Sequence, residues 1–95
     1  MKGFKKLNKA FDSRVRLGVM SILLVNDWVD YKELKASLNL TDGNLASHIA
    51  ALEKLNYIEI RKMFVGKRPN TSYRVTLDGR KAFEEHIQGL EELLK

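Results

Sequence analysis

The order of local sequence patterns between residues 31 and 76 constrains the fold more than any other feature of the chain. Apolar residues recur first at helical spacing, in two segments that a tight turn separates, and then alternate with polar residues in two short segments. The loop between the alternating segments contains turn-forming residues and two cations: Gly66, Lys67, Arg68, Pro69 and Asn70. The pattern predicts two helices followed by two antiparallel strands whose connecting turn is basic.

Residues with capping side chains predict where the two helices begin and end. Asp30 begins a capping box and opens a helix through Leu38, and Asn39 suits the positive φ that follows it. Thr41 opens the second helix, which extends from Asp42 to about residue 55. We therefore expect a helix-turn-helix over about residues 31–55.

Two further helices flank this region. A first helix, opened by Asp12 or Ser13 and running to about residue 25, has apolar side chains on two sides. A surface helix needs one apolar face, so the second face implies burial inside the fold or in a dimer. Thr76 opens a last helix with a single apolar stripe. Because one small monomer can hardly bury all of these side chains, we expect a dimer interface formed by Leu17, Met20, Leu24, Phe83, Ile87, Leu90 and Leu94.

Length predicts one domain over residues 1–95, and the order of its helical and alternating segments predicts a mainly α, α+β fold. We expect a core of three helices, a two- to three-stranded antiparallel sheet that includes a very short strand at residues 28–29, and a C-terminal helix.

No apolar run approaches the ~20 residues that span a bilayer, and the lysine-rich N-terminus leads into no signal-peptide core. The absence of cysteine excludes a disulfide framework and a thiolate metal site. A soluble cytoplasmic protein is expected, with no membrane partner.

The net charge of +5 is concentrated in two blocks. Residues 1–16 hold six Lys and Arg against one Asp, and residues 61–74 hold five with no acid. Clustering of this kind is typical of a surface that binds a polyanion, although charge alone fits a solvated surface equally well.

The second helix of the pair has a face of short and polar side chains opposite its apolar stripe, which suits a helix that enters a DNA major groove. There Asn44 can pair with adenine, Ser47 can reach a base or a phosphate, and His48 a phosphate. Arg14 and Arg16 fit either a phosphate contact or an ion pair with a carboxylate. The candidate DNA-binding residues are Thr41, Asp42, Gly43, Asn44, Ser47, His48, Ala51, Lys54, Lys62, Lys67, Arg68, Pro69, Asn70, Arg14 and Arg16.

The segments TDGNLASHIAALEKLNYIEI and GKRPNTSYRVTLDGR, residues 41–60 and 66–80, resemble the winged-helix transcriptional regulators, over about residues 11–94. The resemblance is closest to the small single-domain branch allied to the MarR and ArsR repressors. It implies a homodimer, with the recognition helix in the major groove, a wing over about residues 57–76 at the minor groove or backbone, and a dimerisation helix over about residues 77–94. The chain departs from the pattern at Asn56, where relatives usually have glycine, and it lacks the cysteine ligands of the arsenical sensors.

Other functions have less support in the sequence. His48 and His86 are the only histidines and lie in different predicted helices, so we expect no metal site and no cofactor. No catalytic or nucleotide-binding motif indicates an enzyme. A winged-helix module that binds another protein is the main alternative to a DNA-binding regulator, and RNA binding is a weaker one. No cluster of residues indicates a small-molecule effector.

Overall fold

The computed structural model describes residues 1–95 and contains four α-helices, a three-stranded antiparallel sheet and two short 3-10 helices. This confirms the predicted α+β architecture. The α-helices and strands in chain order are α1 (Arg14–Leu24), β1 (Val29–Asp30), α2 (Tyr31–Leu38), α3 (Asp42–Lys54), β2 (Ile58–Val65), β3 (Arg68–Val75) and α4 (Leu77–Leu93). The 3-10 helices are Phe4–Lys6 and Lys9–Phe11.

The α-helices begin at side-chain caps. Asp30 Oδ1 accepts a hydrogen bond from the Glu33 amide at 2.8 Å, and Thr41 Oγ1 accepts one from the Asn44 amide at 3.3 Å. Of the two candidates for α1, the cap is Ser13. Each of these bonds satisfies an amide that has no partner within its helix. Local chemistry therefore fixes where the helices start, as the sequence predicts.

Two asparagines adopt the left-handed backbone conformation after helices. Asn39 has φ 52° and follows α2, and Asn56 has φ 62° and follows α3. Asparagine tolerates this region better than most residues with a side chain, so Asn39 and Asn56 suit these positions.

The sheet has the order β1-β3-β2, and β2 and β3 form a hairpin that we call the wing. The predicted turn is too long: Pro69 and Asn70 lie within β3 and pair with Phe64 and Met63. The turn consists of Gly66 and Lys67 alone, with Gly66 at φ 66°. Proline is tolerated in β3 because Pro69 lies beyond the short β1, which pairs only with Ser72 and Tyr73, so its missing amide breaks no bond to a third strand.

The core lies between α1, the other helices and the inner face of the sheet. Val19, Met20 and Leu23 of α1 are completely buried. The apolar side of α1 that includes Met20 therefore belongs to the core of the monomer, and so does Phe83 of α4, which is 6% exposed. The prediction that Met20 and Phe83 form a dimer surface is wrong. Leu17, Leu24 and Ile87 are half-buried against the same core.

Residues 3–8 pack against α4. A β-carbon on Gly89 would lie 2.8 Å from the Gly3 carbonyl oxygen, so the two backbones are in direct contact. Lys6 Nζ forms an ion pair with Glu92 at 2.6 Å, and the Asn8 amide donates to Nδ1 of the buried His86 at 2.9 Å. None of the helices has the length and apolarity required to cross a bilayer.

Candidate nucleic-acid interface

Helix α3 turns one face away from the protein. Leu45, Ile49 and Leu52 are buried, and at about 100° per residue the opposite side carries Gly43, Ser47, Ala50 and Lys54 within about 60° of one another. We call these four exposed residues the outer face of α3. Nothing lies within 4 Å of the position that a β-carbon on Gly43 would occupy. The outer face is therefore open and carries only one long side chain, Lys54.

One flank of the outer face borders α1. Asn44 and Arg14 line a shallow groove of about 450 Å³ together with Ser37 and Asn39 from the end of α2. Arg14 is exposed and has no carboxylate within ion-pair distance. The Asn44 amide donates to the Thr41 cap, while the Asn44 side chain stays exposed. The backbone of Asn44 thus takes part in the helix cap, while its side chain remains free to contact a ligand.

The other flank borders the wing. A groove of about 770 Å³, the wing groove, separates Ala46 of α3 from β2 and β3. Its apolar lining includes Tyr31, Ile60 and Tyr73. The cations that line it come from three elements and are Lys32, Lys62 and Arg68. The structure therefore places cations on both sides of α3.

The five cations of the 61–74 block fall into two groups. Lys62, Lys67 and Arg68 are exposed and form no ion pair. The guanidinium groups of Arg61 and Arg74 instead stack on the Trp28 ring, at 4.3 and 4.5 Å from its centre. Since stacked guanidinium groups already have a partner, three cations of this block remain available to a polyanion rather than five.

Arg74 is held further by carboxylates. Its Nε donates to Glu59 at 2.5 Å, and a second guanidinium nitrogen lies 3.8 Å from Asp27. These contacts fix the guanidinium group against the sheet.

The N-terminal turn of α3 is occupied by internal contacts. Asp42 forms an ion pair with Lys35 at 3.0 Å, and its carbonyl oxygen accepts a hydrogen bond from the Tyr31 hydroxyl at 3.0 Å. Burial, followed by the neighbouring Asp42 carboxylate, raises the pKa of Tyr31. Of the residues predicted to bind DNA, Thr41 and Asp42 therefore have structural partners, although both remain exposed.

His48 and Arg16 contact each other directly. Arg16 Nε donates to His48 Nδ1 at 3.0 Å, and Arg16 Nη1 donates to the Ala10 carbonyl oxygen at 3.3 Å. Burial lowers the pKa of His48 below 6.5, and the positive charge of Arg16 lowers it further. Arg16 is thus neither a free cation nor part of an ion pair with a carboxylate, the two roles that the sequence leaves open.

The structure brings together most of the predicted interface residues and adds others. Ala51 is half-buried, and Ala50 replaces it near the centre of the outer face. Lys32 and Ala46 enter the interface only through the wing groove. The wing also exposes three consecutive apolar residues: Met63, Phe64 and Val65. Helical period alone identifies Ala50, whereas no sequence signal relates Lys32 to a wing that begins 26 residues later.

Titratable side chains form no cluster with the composition of a metal site. No group of three or more His, Asp or Glu side chains lies close enough together to hold an ion. Helix α3 and the wing form an exposed surface with cations on both sides of the helix.

Comparisons with known proteins agree on the family and the fold. The family model described as a winged helix DNA-binding domain matches residues 15–94. The uncharacterized protein MJ0432 of Methanocaldococcus jannaschii is 36% identical over 87 residues, which are 92% of this chain and 95% of that protein.

Solved structures of transcriptional regulators superpose well. A transcriptional regulator homologue from Pyrococcus horikoshii is 28% identical, with a TM-score of 0.76 and coverage of 93% of this chain and 92% of that one. The crystal structure of MarR has a TM-score of 0.77 at 16% identity, covering 92% of this chain and 63% of its own. The crystal structure of an ArsR family transcriptional regulator has a TM-score of 0.62 at 18% identity, and the match covers 97% of this chain and 90% of that one. The last two show the shared fold.

Proposed function

Because the chain belongs to the winged helix DNA-binding domain family, we propose that it is a sequence-specific transcriptional regulator that binds double-stranded DNA as a homodimer. The observation that carries the proposal is the open outer face of α3 between two cationic flanks. A duplex presents the matching arrangement, since the edges of its base pairs lie in a groove between two strands of phosphates.

In the proposed complex, α3 is the recognition helix in the major groove. The short side chains of Gly43, Ser47 and Ala50 allow its backbone to approach the base edges. Asn44 pairs with adenine through its side-chain amide, and Ser47 reaches a base or a phosphate. Lys54, at the C-terminal end of the helix, contacts the DNA backbone.

The wing and the first turn of α1 supply phosphate contacts in this arrangement. Lys62 and Arg68 lie in the wing groove on one side of α3, and Arg14 lies on the other. Lys67, in the two-residue turn, reaches the neighbouring minor groove or its backbone. Contacts of this type supply affinity and salt dependence, while the base contacts of α3 supply sequence preference.

We propose that residues 1–95 form one DNA-binding unit and that two copies associate through the C-terminal end of α4. There Leu90 is 38% and Leu94 is 87% exposed on the helix whose inner face carries Phe83. A two-fold dimer places its recognition helices about one DNA turn apart, ~34 Å, and prefers a pseudo-palindromic site. The proposed location is the cytoplasm of a bacterial or archaeal cell, with the chromosome.

One observation favours a second function, the binding of another protein. Phe64 is 70% exposed on the wing between the exposed Met63 and Val65. Exposed aromatic and methionine side chains are enriched in protein interfaces. In the DNA-bound arrangement the same residues lie beside the sugar-phosphate backbone.

The two functions are separated by selecting bound sequences from a random pool of duplex DNA. A regulator enriches a motif with two related half-sites spaced by about one helical turn. Retention on heparin and titration of random duplexes at low salt supply the baseline of non-specific binding. A purified protein that binds no duplex at low ionic strength would exclude the DNA-binding function and leave the protein-binding one.

A further inference from the structure

The contact between Arg16 and His48 fixes the chemistry of one side chain at the candidate DNA interface. Arg16 Nε and His48 Nδ1 are 3.0 Å apart. Arginine remains protonated in proteins and has no acceptor, so its N–H donates and the Nδ1 atom accepts. An imidazole whose Nδ1 accepts is neutral and carries its proton on Nε2. The structure thus defines both the charge and the tautomer of His48.

A second hydrogen bond holds the Arg16 guanidinium group in place. Arg16 Nη1 donates to the carbonyl oxygen of Ala10, at 3.3 Å, so that the guanidinium group bridges the second 3-10 helix and α3. His48 Nε2 has no partner within the protein, and the side chain is only half-buried. The free N–H therefore lies on the flank of α3 that includes Asn44, one helical turn earlier.

The charged group that contacts His48 is a cation. Arg16 of α1 contacts it, Arg14 of α1 lies with Asn44 in the neighbouring groove, and Lys9 is exposed on the 3-10 helix that supplies Ala10. The ion pairs of the fold involve other residues, so none of these three cations pairs with a carboxylate. A proton on Nδ1 would have to displace the Arg16 hydrogen bond next to a fixed positive charge, which opposes protonation.

We propose that Arg16 is a positioning residue that holds His48 as a neutral hydrogen-bond donor, so that Nε2–H binds a phosphate oxygen at the edge of the major groove. The assignment rests on the proposed DNA-binding function. It gives the two arginines at the start of α1 different roles. Arg14 contacts phosphate as a cation, whereas Arg16 acts on DNA through His48.

A neutral donor and a cation leave different signatures in binding experiments. Loss of a cation that neutralises a phosphate lowers the magnitude of the salt slope, d log K/d log [salt], by about 0.9, because one fewer counterion is released. Loss of a neutral donor weakens binding by about 5-fold without changing the slope. A histidine that remains neutral also makes binding insensitive to pH between 6 and 8, whereas an unrestrained histidine beside phosphate gains a proton as the pH falls.

The free protein supplies the first test, which needs no DNA. Nitrogen-15 NMR of the histidine side chains distinguishes the two neutral tautomers and follows their titration, and His48→Gln assigns the resonances. The expected result is an Nε2–H tautomer with a titration midpoint below 6.5. An Nδ1–H tautomer, or a midpoint above 6.5, would overturn the proposal whether or not the protein binds DNA.

The second test is a double-mutant cycle in binding to a random duplex, with Arg14 as the matched control. Arg16→Met and His48→Ala should each weaken binding by about 5-fold at pH 8, and the double mutant should lose little more than either one. Arg14→Met should instead lower the salt slope and add its effect to that of His48→Ala. Additive losses for Arg16 and His48, with a smaller salt slope for Arg16→Met, would show a direct phosphate contact and reject the positioning role.

The pH profile of Arg16→Met completes the test. Without the Arg16 hydrogen bond, Nδ1 can accept a proton, so the affinity of this variant should rise more steeply than that of the wild-type protein as the pH falls from 8 to 6. Circular dichroism establishes that each variant is folded. A flat profile for a folded Arg16→Met variant would contradict the proposal.

Discussion

The backbone of Gly79, in the first turn of α4, lies against the carbonyl oxygen of Tyr57, so that a β-carbon on Gly79 would overlap that oxygen. The same oxygen accepts a hydrogen bond from the Thr76 amide at 3.0 Å. The start of α4 is therefore docked, backbone against backbone, on the residue that precedes β2. Neither side of this contact contains a flexible side chain that can move away.

Gly79→Ala should therefore destabilise the fold. The overlap costs about 3 kcal/mol, more than the ~1 kcal/mol that alanine gains over glycine in a helix. The melting temperature should fall by more than ~10 °C in thermal denaturation. Gly43→Ala is the matched control, since Gly43 also lies in the first turn of a Thr-capped helix but has open space around it. It should leave the melting temperature unchanged or raised, and equal effects at the two positions would contradict the contact.

Replacing Lys67 and Arg68 with alanine should weaken binding to every duplex by a similar factor. Both residues are exposed and unpaired, so each is free to neutralise a phosphate. The magnitude of the salt slope should fall by about 1.8, or about 0.9 for each cation. Fluorescence anisotropy over a range of salt concentrations measures the slope. Lys81→Ala, in which an exposed lysine on α4 near Glu84 and Glu85 is removed, is the control. If the wing variant matched this control, the wing would not contact DNA.

Arg74→Ala should destabilise the fold more than Arg61→Ala. Both guanidinium groups stack on Trp28, but only Arg74 also pairs with Glu59. Because these groups are partly exposed, the expected cost for Arg74 is about 1 kcal/mol and that for Arg61 is smaller. Urea denaturation measures both. A larger cost for Arg61 would show that stacking outweighs the ion pair.

The pair Lys6–Glu92 should make the docking of the N-terminal segment depend on pH. The hydrogen bond from Lys6 lowers the pKa of Glu92 below its usual 4.5. A carboxyl group with a lower pKa in the folded state stabilises the fold above its unfolded pKa, and this contribution disappears as the pH falls through the lowered value. Glu92→Gln should therefore lower the melting temperature at pH 7, by an amount that shrinks as the pH falls below 4.5. Glu84→Gln, on an exposed residue of the same helix without an ion pair, should have no such effect. A difference that stayed the same as the pH fell would assign the effect to packing.

The double substitution Leu90→Lys and Leu94→Lys should convert the proposed dimer into a monomer. These leucines are exposed in the isolated chain, so a charge on them costs the monomer little but is strongly unfavourable inside an apolar interface. Sedimentation velocity at micromolar concentration measures the change. Leu77→Lys, at the opposite and equally exposed end of α4, should remain dimeric. A wild-type protein that sediments as a monomer would exclude the proposed dimer.

Sequence reasoning succeeds where the determining interactions are local. Asp30 and Thr41 cap amides only three residues ahead, and Asn39 adopts positive φ at the predicted position. These features depend on neighbouring residues, so their spacing in the sequence is sufficient to predict them.

The incorrect predictions depend on which segments pack together. Met20 lies on a second apolar side of α1, and sequence alone cannot distinguish a neighbouring helix from a second copy as its cover; the structure buries it within the monomer. Proline and asparagine usually indicate turns, but the shortness of β1 leaves room for Pro69 in a strand. The Arg16–His48 contact joins residues 32 positions apart, and nothing in the spacing predicts it.

The stacked arrangement of Trp28 also has a practical consequence. Trp28 is the only tryptophan in the chain, and its ring contacts one arginine from each strand of the wing. Fluorescence excited selectively in the indole therefore reports on a single position. Any movement of the wing relative to the helices changes the surroundings of this ring. The molecule thus contains its own optical probe of wing movement, and a titration with unlabelled oligonucleotides can be followed without attaching a dye.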